Sequence, residues 1–381
     1  MLRPAMRLAV VILSAAVLNA DRRTIAAEPV ADVAAKSPWD RIAAAFSPPQ
    51  ELANDLGDYR SPLKFNDGRA VKTAADWSER RTEILATWHG LMGAWPEVIE
   101  AQKLEYVDKM DRETFVQHTV RFKMTPEHMT QGYLLVPKKR GPHPAIVVVY
   151  YEPETAVGLN EKEHRDFALQ LAGRGFVCLS MGAGASIYYP NKEQAELQPL
   201  SANAYAAANA YHVVAGLPEV DAKRVGIVGH SYGSKWAMFA SCLYDKFACA
   251  AWSDGGIVFD ETRPNVNYWE PWYLGYETGK TRERGVPKAG NPRTGAYKRM
   301  LEEGRDLHEL HALMAPRPFL VSGGSEDPPE RWQALNHAVA INRLLGFDNR
   351  VAMTNRKTHS PTIESNEQLY AFFEHFLQPS P

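Results

Sequence analysis

Cysteine is scarce in this chain: there are three, Cys178, Cys242 and Cys249, too few and too irregularly spaced for a disulfide framework or a zinc-type Cys/His site. Cys178 lies in an apolar run and reads as a small core hydrophobe. Cys242 and Cys249 remain a candidate pair for an oxidising compartment, which only geometry decides. A charge of one sign is lacking too. Lys and Arg number 43 against 45 Asp and Glu, a formal −2, and without a Lys/Arg-rich run there is no field to attract nucleic acid.

Long hydrophobic runs are also missing. The apolar stretch 8–18 would extend only about 16 Å as a helix, roughly half a hydrocarbon core of ~30 Å, so no integral membrane span is expected. Arg3 and Arg7 precede that stretch and small residues follow at Ala20, Ala26 and Ala27. This is the grammar of a secretory signal peptide over 1–27, and it predicts a secreted or periplasmic protein. No cysteine follows the run, so no lipid anchor is indicated.

What is present is a globular composition, 45% hydrophobic and 23% charged over 381 residues, enough for a large core. Residues 28–75 have little periodicity and read as a loosely structured part of an N-terminal lead-in, 28–100, which also holds a packing helix. In that helix Ile84, Leu85, Trp88, Leu91 and Met92 recur at helical spacing. A catalytic domain is expected over 101–381. It opens with extended runs at 104–107, 114–122 and 132–136, separated by turn signals, an antiparallel start to a sheet. Alternation follows: strands at 145–151, 176–181, 225–228, 249–252, 319–322 and 351–354 interleave with helices at 161–174, 202–215, 235–244, 330–345 and 368–377. The fold class is α/β, a mostly parallel twisted sheet with helices on both faces. An aromatic-rich insertion or lid, 255–304, is placed after the sixth strand; it carries Tyr268, Trp269, Trp272, Tyr273 and Tyr276.

The stretch "VGIVGHSYGSKWAMFASC", 225–242, joins a buried strand to a helix through Gly229-His230-Ser231-Tyr232-Gly233. Glycines on both sides of a serine at such a corner allow a strained turn that lifts the hydroxyl above the sheet edge, at the N-terminus of the next helix. Ser231 is thus the candidate nucleophile. A neutral hydroxyl needs a base, and His359, in "NRKTHSPT" between the last strand and last helix, is placed to supply it. His308, His311, His337 and His375 read as packing or surface residues, and His308-x-x-His311 lacks a third ligand, so no metal is expected. For the acid, Asp327 in "GGSEDPP" is preferred, Asp254 in "WSDGG" is the alternative, and Glu326 is conceivable. The oxyanion hole is assigned to the backbone N–H of Tyr232 and a second N–H near Tyr151 or Glu152. Trp269 and Trp272 are candidate substrate-binding residues, because sugar rings stack on aromatic faces. Tyr232 is placed to line the pocket and His230 to pack beneath the elbow.

The motifs "GHSYGS", "GGSED" and "KTHS", in that order, resemble the α/β-hydrolase superfamily. "HELHALMAPRPFLVSGGSEDP", "RRTEIL" and "ALQLAGRGFVCLSM" look like its exported bacterial branch of acetyl xylan esterases, dienelactone-hydrolase-like proteins and glucuronoyl esterases. In the last group the elbow reads G-C-S-R-x-G-K, its arginine helps hold the oxyanion, and the acid often follows the next strand, which here would be Asp254. This chain keeps Gly229, Ser231 and Lys235 but has His230 and Tyr232 in place of the cysteine and arginine. The resemblance implies a cofactor-free serine esterase acting on small-molecule or glycan esters, acetyl or uronoyl. A serine peptidase or amidase of the same fold, and a noncatalytic glycan-binding protein, are the alternatives.

Overall fold

The apolar alternation is realised as one nine-stranded sheet in a computed structural model that describes residues 36–183 and 188–378. The expected signal peptide, 1–27, lies outside the described residues, as does the lead-in up to residue 35.

Three antiparallel strands come first: β1 (Glu105–Asp111), β2 (Phe115–Lys123) and β3 (Met129–Pro137). Six follow: β4 (His143–Tyr150), β5 (Val177–Gly182), β6 (Val220–His230), β7 (Cys249–Ser253), β8 (Phe319–Gly323) and β9 (Val351–Asn355). The spatial order is β1-β2-β3-β5-β4-β6-β7-β8-β9, and every pair from β5 to β9 is parallel. All eight residues of β4 are buried, which requires cover on both faces. Ala145, Val147 and Val149 point into one core, shared with the helices α2 (Ala74–Met92), α4 (Pro199–Ala215) and α5 (Tyr232–Leu243). Ile146, Val148 and Tyr150 point into the other, with α1 (Pro38–Ile42), α3 (Phe167–Gly173) and α9 (Ile363–Leu377). Each large apolar side chain so buried contributes about 1.5–3 kcal/mol. The remaining helices are α6 (Gly295–Glu302), α7 (His308–Ala312) and α8 (Trp332–Leu344).

Four expectations are corrected. The insertion follows the seventh strand, β7. The exposed β1 is a full member of the sheet; none of its residues is buried, so it carries no alternation that would mark its length. The helix expected over 161–174 begins only at Phe167, since Glu161, Lys162 and Glu163 offer no apolar face and His164 has φ 59°. The lead-in from residue 36 is folded. Arg41 pairs with Glu374 on α9, and Asn336 of α8 donates to the carbonyls of Leu52 and Asp55. The packing helix α2 begins with a capping box, in which Thr73 Oγ1 accepts from Asp76 N–H at 3.1 Å and Asp76 accepts from Thr73 N–H at 2.9 Å. Cys178, Cys242 and Cys249 are all free and buried.

Candidate active site

The glycine-flanked serine is a sharp corner between β6 and α5. Ser231 has φ 58° and ψ −114°, a region that costs a non-glycine residue about 1–3 kcal/mol and persists only when its surroundings impose it. The glycines are required by contact: a Cβ on Gly229 would lie 2.3 Å from the Gly233 carbonyl carbon, and one on Gly233 would lie 2.0 Å from the Val149 carbonyl oxygen of β4. Tyr232 is the first residue of α5, where a helix leaves its N–H without an internal acceptor and concentrates its positive end.

Ser231 Oγ lies 2.8 Å from His359 Nε2, and His359 Nδ1 lies 2.7 Å from Asp254 Oδ2. The tautomer that satisfies both contacts donates from Nδ1 to the carboxylate and leaves Nε2 to accept from the serine hydroxyl. The imidazole is carried by the loop after β9, and Arg356 anchors that loop. Its Nη2 donates to the His359 carbonyl at 2.7 Å, its Nε to the Ser360 carbonyl at 2.9 Å, and its Nη1 to the Ser322 carbonyl at 2.8 Å. Arg356 went unnoticed in the sequence although it stands three residues before the histidine. A donor fork between a strand end and a loop histidine was the available signal.

The carboxylate on the imidazole is thus Asp254, the alternative, and the preference for Asp327 is corrected by geometry. Asp254 directly follows the last residue of β7, with φ 50°, and its side chain is wholly buried. Asp327 comes four residues after β8 ends, and its loop folds so that backbone rather than side chain reaches the site. The N–H groups of Glu326 and Asp327 donate to Asp254 Oδ1 at 3.1 and 3.0 Å. The Asp327 carboxylate turns away and accepts from the N–H groups of Gly256 and Ile257 at 2.9 and 2.6 Å. Burial, then the neighbouring Asp254 charge, raise the Asp327 carboxyl above its ordinary value. Glu326 accepts from Asn265 and Ser325, not from the histidine.

His230 packs under the elbow, its ring 4.7 Å from that of His359 and its Nδ1 3.1 Å from the Ser253 carbonyl. Burial and then the His359 charge hold it well below the usual histidine range, so it is neutral. Lys235, one turn into α5, is buried; its ammonium donates to the carbonyls of Gly255 and Asn265 and lies 4.9 Å from the Tyr268 ring centroid. Burial lowers it to about 8, against the opposing pull of Asp327, Glu326 and Asp254.

Tyr151, just after β4, stacks on Tyr232 with centroids 4.1 Å apart, and its hydroxyl is 3.2 Å from that of Tyr273. Tyr232 is buried and its hydroxyl accepts from Asn203 Nδ2 at 2.6 Å. Ala183 N–H donates to the carbonyls of both Tyr150 and Tyr151, at 3.2 and 3.1 Å, which fixes the backbone on which the Tyr151 N–H sits. Of the two tryptophans assigned to substrate, Trp269 is corrected. It is wholly buried and packs edge-on to Tyr297, so it belongs to the core. Trp272 is half-buried and lines a cavity of about 360 Å³ with Tyr151, Asn267, Tyr273 and Arg284. His308 and His311 are buried packing residues, His308 Nε2 facing the Arg60 carbonyl at 2.5 Å.

Residues 130–255 match the model of the dienelactone hydrolase family, a span from β3 to the residue after Asp254. A search of curated proteins finds no match. Among solved structures, a glucuronoyl esterase from Solibacter usitatus is 18% identical with a TM-score of 0.65, over 84% of this chain and 97% of that one. A carbohydrate esterase family 15 glucuronoyl esterase from Caldicellulosiruptor kristjansonii is 20% identical with a TM-score of 0.60, over 85% and 91%. A putative acetyl xylan esterase from Bacteroides fragilis is 13% identical with a TM-score of 0.53, over 82% and 83%. The fold of this chain is therefore that of the α/β-hydrolases.

Proposed function

We propose that this α/β-hydrolase-fold chain is an exported serine hydrolase of carboxylic esters, acting on carbohydrate-linked acetyl or uronoyl esters. The observation that carries the reading is the unbroken contact from Ser231 through His359 to Asp254, 2.8 and 2.7 Å. Ser231 Oγ attacks the ester carbonyl as His359 Nε2 takes its proton, and the Asp254 carboxylate stabilises the imidazolium. The oxyanion is received by the N–H groups of Tyr232 and Tyr151, each such donor typically contributing about 3–4 kcal/mol in the transition state. Collapse of the tetrahedral intermediate expels the alcohol, which takes the proton from His359. Water, deprotonated by the same imidazole, then releases the acid and restores Ser231.

Backbone donors suit a chain whose residue after the nucleophile is a buried tyrosine rather than an arginine. The carbohydrate direction is supported by the esterases named above and by the half-buried Trp272 beside the elbow. Export is supported by the signal-like segment 1–27, and processing near Ala27 is tested by N-terminal sequencing of protein recovered from the periplasm or medium. Replacing Ser231 by Ala is expected to abolish p-nitrophenyl acetate turnover and labelling by a fluorophosphonate probe; undiminished turnover would sink the reading. A panel of acetylated xylan, methyl glucuronoyl esters and peptide anilides sorts the substrate class, and cleavage of the anilides alone would replace esterase by amidase.

A further inference from the structure

We propose that the cavity beside the elbow is an anion-reading subsite, in which Arg284 receives the free carboxylate of an acidic sugar ester; the inference deepens, and rests on, the ester-hydrolase reading. The cavity runs from Tyr151, whose ring is stacked on the residue after Ser231, to Trp272 and Arg284. One face of Tyr151 is taken by Tyr232, and the residue is 51% exposed, so its outer face is open to a pyranose ring. The Tyr151 and Tyr273 hydroxyls share one contact, which uses only one of their two protons and leaves the other for a sugar hydroxyl.

Arg284 is presented, not merely exposed. The carbonyls of Glu283 and Gly285, immediately before and after it, both accept from Arg282, at 3.0 and 2.7 Å. Arg282 and the Gly285 N–H are in turn held by the buried Glu270, at 3.4 and 2.7 Å. The Arg284 guanidinium lies 5.1 Å from the Trp272 ring centroid, a stacking that orients the group while leaving its N–H edge for a bidentate partner. The other arginines of the insertion are already engaged: Arg263 with Asp260, Arg282 with Glu270 and Arg293 with Glu261, while Arg299 donates to the Leu91 carbonyl. Among the described residues Arg284 has no carboxylate. A planar cation, an aromatic floor and an open tyrosine face in one cavity fit a ring that itself carries a carboxylate, which is the chemistry of uronic acids.

The test is calorimetric titration of the full chain carrying Ser231→Ala with trigalacturonate and with neutral maltotriose, in low salt. Trigalacturonate is expected to bind about tenfold more tightly or better, and the preference to shrink as salt screens it. Arg284→Glu and Arg284→Gln are each expected to collapse the preference to about one. Equal binding of the two sugars, or a preference that survives either folded variant, overturns the proposal. Turnover of p-nitrophenyl acetate by the unmutated protein is read separately. Its absence faults the hydrolase reading, whereas turnover without a trigalacturonate preference faults only the subsite.

Discussion

The loops after β7 and β8 each bring a buried aspartate to the same sheet edge, and each aspartate accepts two backbone N–H groups or their equivalent from the other loop. Asp254 spends one oxygen on the N–H groups of Glu326 and Asp327 and keeps the second for His359. Asp327 spends both oxygens on Gly256 and Ile257. One carboxylate faces the imidazole and the other ties down the loop that follows it. Residue type and burial are the same, so the role of each is decided by which oxygens are already occupied.

Four measurements break or sharpen that contrast. The largest effect is expected for Asp254→Asn, about 10⁴ in kcat, the scale on which a triad loses its tautomer; equal losses at Asp254 and Asp327 would erase the distinction. Asp327→Asn leaves the imidazole its partner but puts an amide N–H against a backbone N–H. A loss in kcat on the order of 10² or less, with a Tm drop corresponding to about 1–3 kcal/mol, is expected from kinetics and melting.

The third is a pH effect. A carboxyl raised in the fold adds stability that is fully present below its unfolded value, near 3.8, and is lost as pH rises through its folded value. The Asp327 contribution therefore declines across that window, so the stability of the unmutated protein relative to Asp327→Asn, which cannot titrate there, is expected to fall as pH rises in paired urea melts at successive pH values. The smallest effect belongs to Glu326→Gln. Its carboxylate accepts only from Asn265 and Ser325, so kcat is expected to change by about threefold at most.

The same contrast marks what could be read from the letters. The parallel strands were legible because continuous apolar runs such as 145–151 are buried on both faces. Ser231 was legible because only close backbone contact explains glycines at 229 and 233. His359 was legible from its place between the last strand and last helix. The acid was harder. Both candidates follow a strand, and the useful difference, one residue past the strand against four, bears on the answer only once the loops are seen to cross. Trp269 and Trp272 are equally aromatic in sequence, and three residues of chain separate a core side chain from one that lines a cavity. Only the start of exposed β1 was legible, as the run 104–107, because a strand with no buried side has no period to mark its length.

The positions of the three side chains proposed to react also have a consequence in time. Ser231 and His359 are 128 residues apart, on strands separated by β7 and β8, and the histidine's loop precedes only the last helix. The central strand β4 cannot acquire both neighbours until β6 has been made, and the edge that carries His359 is laid down after that. Contacts so distant along the chain form late and slowly. A chain still emerging from its machinery, or cut short by a few dozen residues at the C-terminal end, holds the serine and its elbow without a base. On the mechanism proposed above, hydrolytic power is thus withheld until synthesis and folding are essentially complete.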